Sequence, residues 1–112
     1  MPNDYHEVAT ELSDKDRDII RALNSFKEEV EAVDWYAQRV AVASDPELKD
    51  IMWHNAKEEM EHAMMTLEWL RRNQEGWDEH MRTYLFVEGS IMDAETHAED
   101  ESEDGSLNIG QL

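Results

Sequence analysis

Apolar residues recur every three or four positions along two long stretches of the chain, and the stretches meet at Asp45-Pro46. Such spacing puts the apolar side chains on one face of a helix, as in helices that pack against other helices. The first stripe comprises Ile19, Leu23, Phe26, Val30, Val33, Ala37 and Val40, and the second comprises Trp53, Ala56, Met60, Ala63, Leu67 and Leu70. Long helices joined by a short turn are antiparallel neighbours, so the pattern predicts a helical hairpin.

Capping residues mark where the predicted helices begin. Ser13 and Asp16 have the spacing of a capping box, which predicts the start of the first helix. Asp45 is a favourable N-cap for the second helix, with Pro46 at the first helical position, where proline's missing N–H is harmless. We expect the second helix to extend to about Gln74.

A shorter helical pattern follows, and after it the composition changes. The sequence WDEHMRTYLFVE, from Trp77 to Glu88, predicts a third helix of about three turns that Gly89 closes. Residues 90–112 contain seven acidic side chains and no lysine or arginine, a composition typical of disorder. No part of the sequence has the pattern of a strand, so the predicted fold class is all-α.

These patterns divide the chain into three parts. We predict a flexible N-terminal arm over residues 1–12, a helical domain over 13–89 and a disordered acidic tail over 90–112. The tail ends in alternating apolar residues, Leu107, Ile109 and Leu112, which are typical of a peptide that fills pockets on a partner. An inert chain end has the same composition, so both interpretations stay open here.

The charge balance excludes several classes of partner. The chain carries 28 acidic and 10 basic side chains, and its net charge of −18 repels nucleic acid and anionic membrane surfaces. No apolar run approaches the roughly 20 residues of a membrane span, and the N-terminus has no export signal. The absence of cysteine excludes disulfides and thiolate metal sites and suits a reducing cytosol. We therefore expect a soluble protein whose natural partners are cations.

Three residues of the predicted hairpin form a candidate metal site. Glu59 and His62 are three apart, so their side chains lie on one helix face. This is the Glu-x-x-His spacing of carboxylate di-iron sites in four-helix bundles. Counted outward from Asp45 at about 1.5 Å per residue, Glu29, Glu59 and His62 lie at heights of about 24, 21 and 26 Å. The spacing predicts that three ligands meet at one level.

One hairpin supplies only half of a di-iron ligand set. A two-fold dimer supplies four helices, four glutamates and two histidines, so we predict a four-helix bundle whose site needs two subunits. Carboxylates with imidazole suit Fe(II), Mn(II) or Zn(II), and two irons would favour electron transfer to O₂. We hypothesise ferroxidase chemistry, with Glu59 bridging the metals and Glu29 and His62 as terminal ligands. Taken alone, Glu29 also fits a solvated helix flank and His62 a hydrogen-bonded, partly buried histidine.

Neighbouring polar residues have two interpretations each. Glu28 and Glu31 belong to the outward side of the first helix, where they form either a solvated acidic face or a path that attracts cations towards Glu29. Tyr36 lies two turns beyond Glu29, so it either donates a hydrogen bond to a ligand or simply packs. His54 has no partner at a metal-ligand spacing and is left unassigned.

Several stretches of the chain closely resemble the encapsulated ferritins. They are EEVEAVDWY at residues 28–36, EEMEH at 58–62, MTLEWLRRN at 65–73, MRTYLFVEG at 81–89 and SLNIGQL at 106–112. The resemblance covers about residues 14–112, whereas residues 1–12 and the acidic run at 95–104 carry no match. The last stretch is similar to the peptide that loads cargo into encapsulin shells, with Asn108 where a smaller residue is commoner.

The resemblance implies an assembly and a cellular place. It implies a ferritin-like ferroxidase whose dimers form the di-iron centre, with two irons per dimer, and whose five dimers close into a ring-shaped decamer. Such proteins oxidise Fe(II) without storing mineral, which the encapsulin shell stores instead. The implied partner is therefore an encapsulin shell protein, bound through residues 104–112, and the implied location is a nanocompartment in the cytoplasm.

The resemblance also assigns residues. By position, the ferroxidase ligands fall on Glu29, Glu59 and His62, a neighbour of the centre falls on Tyr36, and a metal access site falls on Glu28 and Glu31 beside Trp35. Calcium or another divalent cation is a further candidate ligand of that access site.

Two other functions compete with the ferroxidase hypothesis. A non-catalytic helical module, acting as metal-binding cargo or as a shell-docking adaptor, would bind many divalent cations weakly and without redox turnover. A di-iron peroxidase of the rubrerythrin kind is disfavoured, because the chain has no cysteine for a rubredoxin-like iron site.

Overall fold

The computed structural model describes residues 5–97, and every regular element in that range is a helix. The α-helices are α1 over Asp14–Val42, α2 over Pro46–Asn73 and α3 over Trp77–Tyr84. Residues 91–97 are also helical. The predicted all-α fold class is confirmed. None of the helices in the described range is both long enough and apolar enough to cross a membrane.

Side-chain caps begin both long helices, as the sequence predicts. The Ser13 hydroxyl accepts a hydrogen bond from the Asp16 backbone N–H at 3.0 Å, and the Asp16 carboxylate accepts one from the Ser13 backbone N–H at 3.1 Å. The Asp45 carboxylate accepts a hydrogen bond from the Leu48 backbone N–H at 2.9 Å. Each cap satisfies an N–H group that has no partner within its helix. The Asp45 cap lets α2 begin directly after the short turn that follows α1.

The helices α1 and α2 pack against each other as an antiparallel hairpin, since only residues 43–45 join them. The buried residues of α2 are Ala56, Ala63 and Leu70. They are spaced seven apart and therefore lie on one face of the helix. Two of the three are alanines, whose small side chains let helix backbones approach closely. The predicted hairpin is confirmed.

The apolar stripes are less buried than their pattern suggests. No residue of α1 is fully buried. On these stripes Val30 is 48% exposed, Trp53 is 45% exposed and Met60 is 38% exposed. Among residues 5–97, each long helix has one long helical neighbour, which covers only part of an apolar stripe about 100° wide. A single copy therefore leaves much of its apolar surface uncovered.

Residues 74–97 belong to a second compact unit. Gly76 precedes α3 with a φ of 111°, a left-handed backbone conformation that favours glycine. Asp78 in the first turn is buried, and its carboxylate accepts a hydrogen bond from Arg82 Nε at 2.7 Å. The helix α3 ends at Tyr84, earlier than the predicted end near Gly89, because Phe86 adopts a φ of 60° that is incompatible with a continuing right-handed helix.

The structure differs from two predicted boundaries. Disorder is expected from residue 90, but residues 91–97 are helical and begin with a hydrogen bond from the Ala94 N–H to the Ser90 carbonyl. The apolar content of Ile91, Met92 and Ala94 favours this helix, and most of the acidic run follows it. In the predicted flexible arm, Ala9–Glu11 forms a short 3₁₀ helix whose first carbonyl accepts a hydrogen bond from Arg17. The predicted docking peptide at 104–112 lies outside the described residues.

Candidate metal centre

Glu29, Glu59 and His62 come together in the middle of the hairpin. Glu29 lies on α1, and Glu59 and His62 lie on adjacent turns of α2. His62 Nδ1 is 3.6 Å from Glu29 Oε2 and 3.6 Å from Glu59 Oε2. One ligand atom from each of the three residues lies within 4.8 Å of the others. The counting of helical rise from the turn therefore predicts the convergence correctly.

The three side chains are half-buried at the edge of the hairpin's apolar face. The side chains of Glu29 and Glu59 are 28% and 23% exposed, and that of His62 is 44% exposed. Glu59 follows the buried Ala56 by three positions and precedes the buried Ala63 by four, so apolar groups flank it on the same helix face. Apolar groups therefore exclude water from one side of the cluster. The other side is exposed, so a further ligand or a second subunit can approach it.

The carboxylate of Glu59 disturbs the ionisation of Glu29. The pKa of Glu29 is raised by a hydrogen bond shared with Glu59, by partial burial and by the Glu59 negative charge, while His62 acts in the opposite direction. Two ionised carboxylates at this separation repel each other unless a proton or a cation lies between them. A divalent cation between the two carboxylates would relieve this repulsion.

This electrostatic conflict predicts how the metal-free protein responds to pH. In Glu29→Gln the carboxylate repulsion is absent, so the Tm of the metal-free variant should exceed that of the wild type above the ordinary Glu29 pKa of 4.5. A raised folded-state pKa contributes stability that is present below 4.5 and is lost as the pH rises through the raised value. The advantage of the glutamine variant should therefore grow with pH.

Differential scanning calorimetry from pH 4 to pH 8 with a chelator would measure this difference. The exposed Glu7, which lies outside the helices, provides a Glu→Gln control for which the Tm difference should stay nearly constant. A Glu29→Gln difference that shrinks or stays flat over the same range would contradict the assigned repulsion.

The donor set of the cluster fits a divalent transition metal. Two carboxylates and one imidazole are oxygen and nitrogen ligands of the type that iron, manganese and zinc accept. Among residues 5–97, no other group of three histidine, aspartate or glutamate side chains has this geometry. Three ligands leave coordination positions open, and a second hairpin could fill them with an equivalent set.

The other predicted site residues do not join this cluster. Glu28 and Glu31 are exposed on α1, and Trp35 is 51% exposed beside them. Their role as an access site stays a prediction. Tyr36 is half-buried, and the Arg39 guanidinium lies 5.1 Å from the centre of its ring. This cation–π contact restrains the Tyr36 ring, and the three-residue spacing on one helix could have predicted it.

His54 has a partner that the sequence reasoning missed. Its Nε2 atom lies 3.2 Å from Glu58 Oε1, one turn further along α2. The spacing of four positions is the usual signal for such a pair on a helix, and a search restricted to Glu-x-x-His spacing overlooks it. Both side chains are largely exposed, so this is a surface ion pair that forms when His54 is protonated.

Comparison with known proteins gives consistent matches over nearly the whole chain. The model of the EncFtn-like family matches residues 4–88. A ferritin-like protein of Thermotoga maritima is 56% identical over 110 residues, covering 98% of this chain and 93% of the relative. An encapsulated ferritin-like protein of Rhodospirillum rubrum is 49% identical over 123 residues, covering 98% of this chain and 88% of the relative.

A solved structure supports the fold. The crystal structure of a protein from Nitrosomonas europaea matches with a TM-score of 0.74 at 50% identity, covering 78% of this chain and 96% of that one. The resemblance to encapsulated ferritins is thereby confirmed, and it includes N-terminal residues that carry no recognised motif, since the family match begins at residue 4. The chain belongs to the EncFtn-like family.

Proposed function

We propose that two copies of this chain together form a di-iron ferroxidase centre that oxidises Fe(II) to Fe(III). The convergence of Glu29, Glu59 and His62 carries the proposal, because their ligand atoms lie within 4.8 Å of one another on half-buried side chains. The name of the Rhodospirillum rubrum relative, an encapsulated ferritin-like protein, supports an iron-related function. The apolar side chains that stay exposed on both stripes also support a second copy, because a second hairpin could cover them.

Each side chain has a distinct part in this proposal. Glu59 offers two carboxylate oxygens and would be the shared ligand of the two irons, while Glu29 and His62 would each hold one of them. The irons, when bound, would supply the electrons that reduce O₂. The raised pKa of Glu29 makes protons stronger competitors for its carboxylate, so binding of Fe(II) should strengthen as the pH rises.

The proposed cellular role is to deliver oxidised iron for mineral storage inside an encapsulin nanocompartment in the cytoplasm. The chain would reach the shell interior through its C-terminal peptide, residues 104–112, and would assemble as dimers within a ring-shaped decamer. Glu28, Glu31 and Trp35 would form the access site, where a carboxylate pair attracts the incoming cation. The full-length match to a relative named as encapsulated supports the shell as partner.

Iron stoichiometry tests the shared centre. Native mass spectrometry after anaerobic addition of Fe(II) should find two irons per dimer, bound only in species that contain at least two copies. Glu59→Gln should lose both irons, because each Glu59 bridges the pair. The control Asp50→Asn removes an exposed acidic group from the same helix and should keep two irons per dimer.

The non-catalytic alternative gives a different titration. A diffuse acidic surface binds many ions with equal occupancy in monomers and oligomers, and it loses little when Glu59 alone is changed. Either result would contradict the shared di-iron centre.

A further inference from the structure

Met65 lies beside the candidate metal centre, on the side that is not covered by the hairpin. It follows His62 by three positions on α2, so the two side chains are neighbours on the helix surface, about 5–6 Å apart at Cβ. It also follows the buried Ala63 by two positions, and it therefore points away from the buried face. Met65 is 59% exposed, and the His62 side chain is 44% exposed. A reactive species that leaves the open side of the centre would meet the Met65 thioether early.

The adjacent Met64 provides an internal comparison for Met65. Met64 is 54% exposed, almost as much as Met65, and both residues line the same depression on α2. Met64 follows His62 by two positions, however, and residues two apart on a helix do not face each other. The two thioethers thus have nearly equal exposure but differ in their position relative to the metal centre.

The chemistry of a thioether suits a position beside an oxidising centre. The chain contains seven methionines and no cysteine, so thioethers are its only sulfur groups. Oxidation converts a methionine thioether to a sulfoxide, and sulfoxide reductases reverse this reaction. An oxidant consumed at Met65 would therefore leave a modification that a cell can repair.

We propose that Met65 is a sacrificial oxidation site for by-products of iron oxidation, an inference that rests on the proposed ferroxidase function. When two Fe(II) ions each give one electron to O₂, two protons are taken up and hydrogen peroxide forms. Reduction of peroxide by a further Fe(II) breaks the O–O bond and gives Fe(III), hydroxide and a hydroxyl radical. The radical adds to the Met65 sulfur and forms the S–O bond. One electron then passes to O₂, which becomes superoxide, and one proton passes to water, which leaves the sulfoxide.

Proximity decides which thioether is modified in this scheme. A hydroxyl radical reacts with the first groups that it meets, whereas hydrogen peroxide reacts slowly with thioethers and spreads through the solution first. Radicals formed at the centre should therefore modify Met65 in preference to Met64. Peroxide added from outside should modify the two residues according to their exposure alone.

Peptide mass spectrometry can compare the two residues directly, since the tryptic peptide of residues 58–71 contains both. Metal-free full-length protein treated with reagent hydrogen peroxide gives a reference ratio of sulfoxide at Met65 to sulfoxide at Met64. Repeated additions of Fe(II) in air should raise this ratio several-fold. Glu59→Gln, which lacks one of the proposed iron ligands, should stay at the reference ratio, and Asp50→Asn should behave like the wild type.

The outcomes separate this inference from the proposed function. A reference ratio in wild-type protein that oxidises Fe(II) rapidly would overturn the role of Met65 and leave the ferroxidase function standing. An equally raised ratio in Glu59→Gln would also overturn it, because the radical would then arise away from the centre. Failure of the wild type to oxidise Fe(II) rapidly would contradict the proposed function, and the role of Met65 would be lost with it.

Substitution tests whether Met65 spares the centre. Met65→Leu keeps an apolar, helix-favouring side chain, so circular dichroism and the initial rate of Fe(II) oxidation should match the wild type. Over repeated additions of Fe(II), this variant should lose activity and accumulate oxidised His62 sooner than the wild type. Met64→Leu removes an equally exposed thioether and should keep the wild-type lifetime. Equal lifetimes of the two variants would overturn the proposal.

Discussion

Replacement of His62 or Glu59 by alanine should abolish rapid O₂-dependent oxidation of Fe(II) and leave the helical content intact. Each residue is one of three ligand-bearing side chains that lie within 4.8 Å of one another, so its loss leaves two ligands per copy. Loss of a residue that only supports a ligand typically costs 10–100-fold in activity, so loss of a ligand itself should reduce the rate by about 100-fold or more. Stopped-flow absorbance after anaerobic loading with Fe(II), followed by mixing with O₂, would measure it.

The retained fold has a physical basis. Both side chains are part-exposed at the edge of the buried face, and the buried side chains of α2, Ala56, Ala63 and Leu70, stay in place in both variants. His54→Ala is a suitable control, because it removes a histidine from an exposed ion pair on the same helix and should leave the rate nearly unchanged. Wild-type kinetics in either ligand variant would refute the assigned site. If an alanine variant lost its helical signal, the same measurement would be made on Glu59→Gln, which keeps the shape of the side chain.

Removal of residues 104–112 should prevent co-purification with an encapsulin while Fe(II) oxidation by the isolated protein stays at the wild-type level. The removed segment contains alternating Leu107, Ile109 and Leu112, and extended peptides of this kind bind by filling pockets with alternate side chains. The effect on loading should be nearly complete, because the proposal assigns the docking contact to this peptide alone. Co-expression with a shell protein and analysis of purified shells by gel and mass spectrometry would measure it.

A variant matched in length and charge tests whether loading needs the apolar side chains of the peptide or only its presence. Leu107→Ser combined with Ile109→Ser keeps the length and charge of the tail and should lose loading as completely as the truncation. Equal loading of the truncated chain would refute the docking role, and a reduced oxidation rate in the truncated chain would show that the tail also affects the metal centre.

Much of the hairpin is encoded in local signals that a sequence displays directly. The Ser13 capping box, the Asp45 cap and the seven-residue spacing of Ala56, Ala63 and Leu70 act within one or two helical turns. The level at which Glu29 meets the second helix follows from helical rise, since a short turn fixes the register of both helices.

Other features depend on long-range packing or on a single backbone angle. The helix α3 ends before Phe86, whose φ is 60°. The sequence does not predict this end, because phenylalanine rarely adopts that angle and no glycine marks the position. The helix at 91–97 lies where acidic composition predicts disorder, and its apolar residues are too few to reveal it by periodicity. The exposed fraction of Val30 and Trp53 likewise depends on how many neighbours each helix has, which a stripe pattern does not specify.

The scarcity of fully buried apolar side chains has a consequence for the life of a newly made copy. In the described range only Ala56, Ala63, Leu70 and Ala94 are buried apolar residues, and Leu70 is the one large side chain among them. A protein that completes its apolar burial only by association unfolds upon dilution, and proteases degrade the unfolded form. In the proposed assembly, copies made in excess of their partners would therefore be short-lived, and cellular abundance would follow the supply of assembly partners.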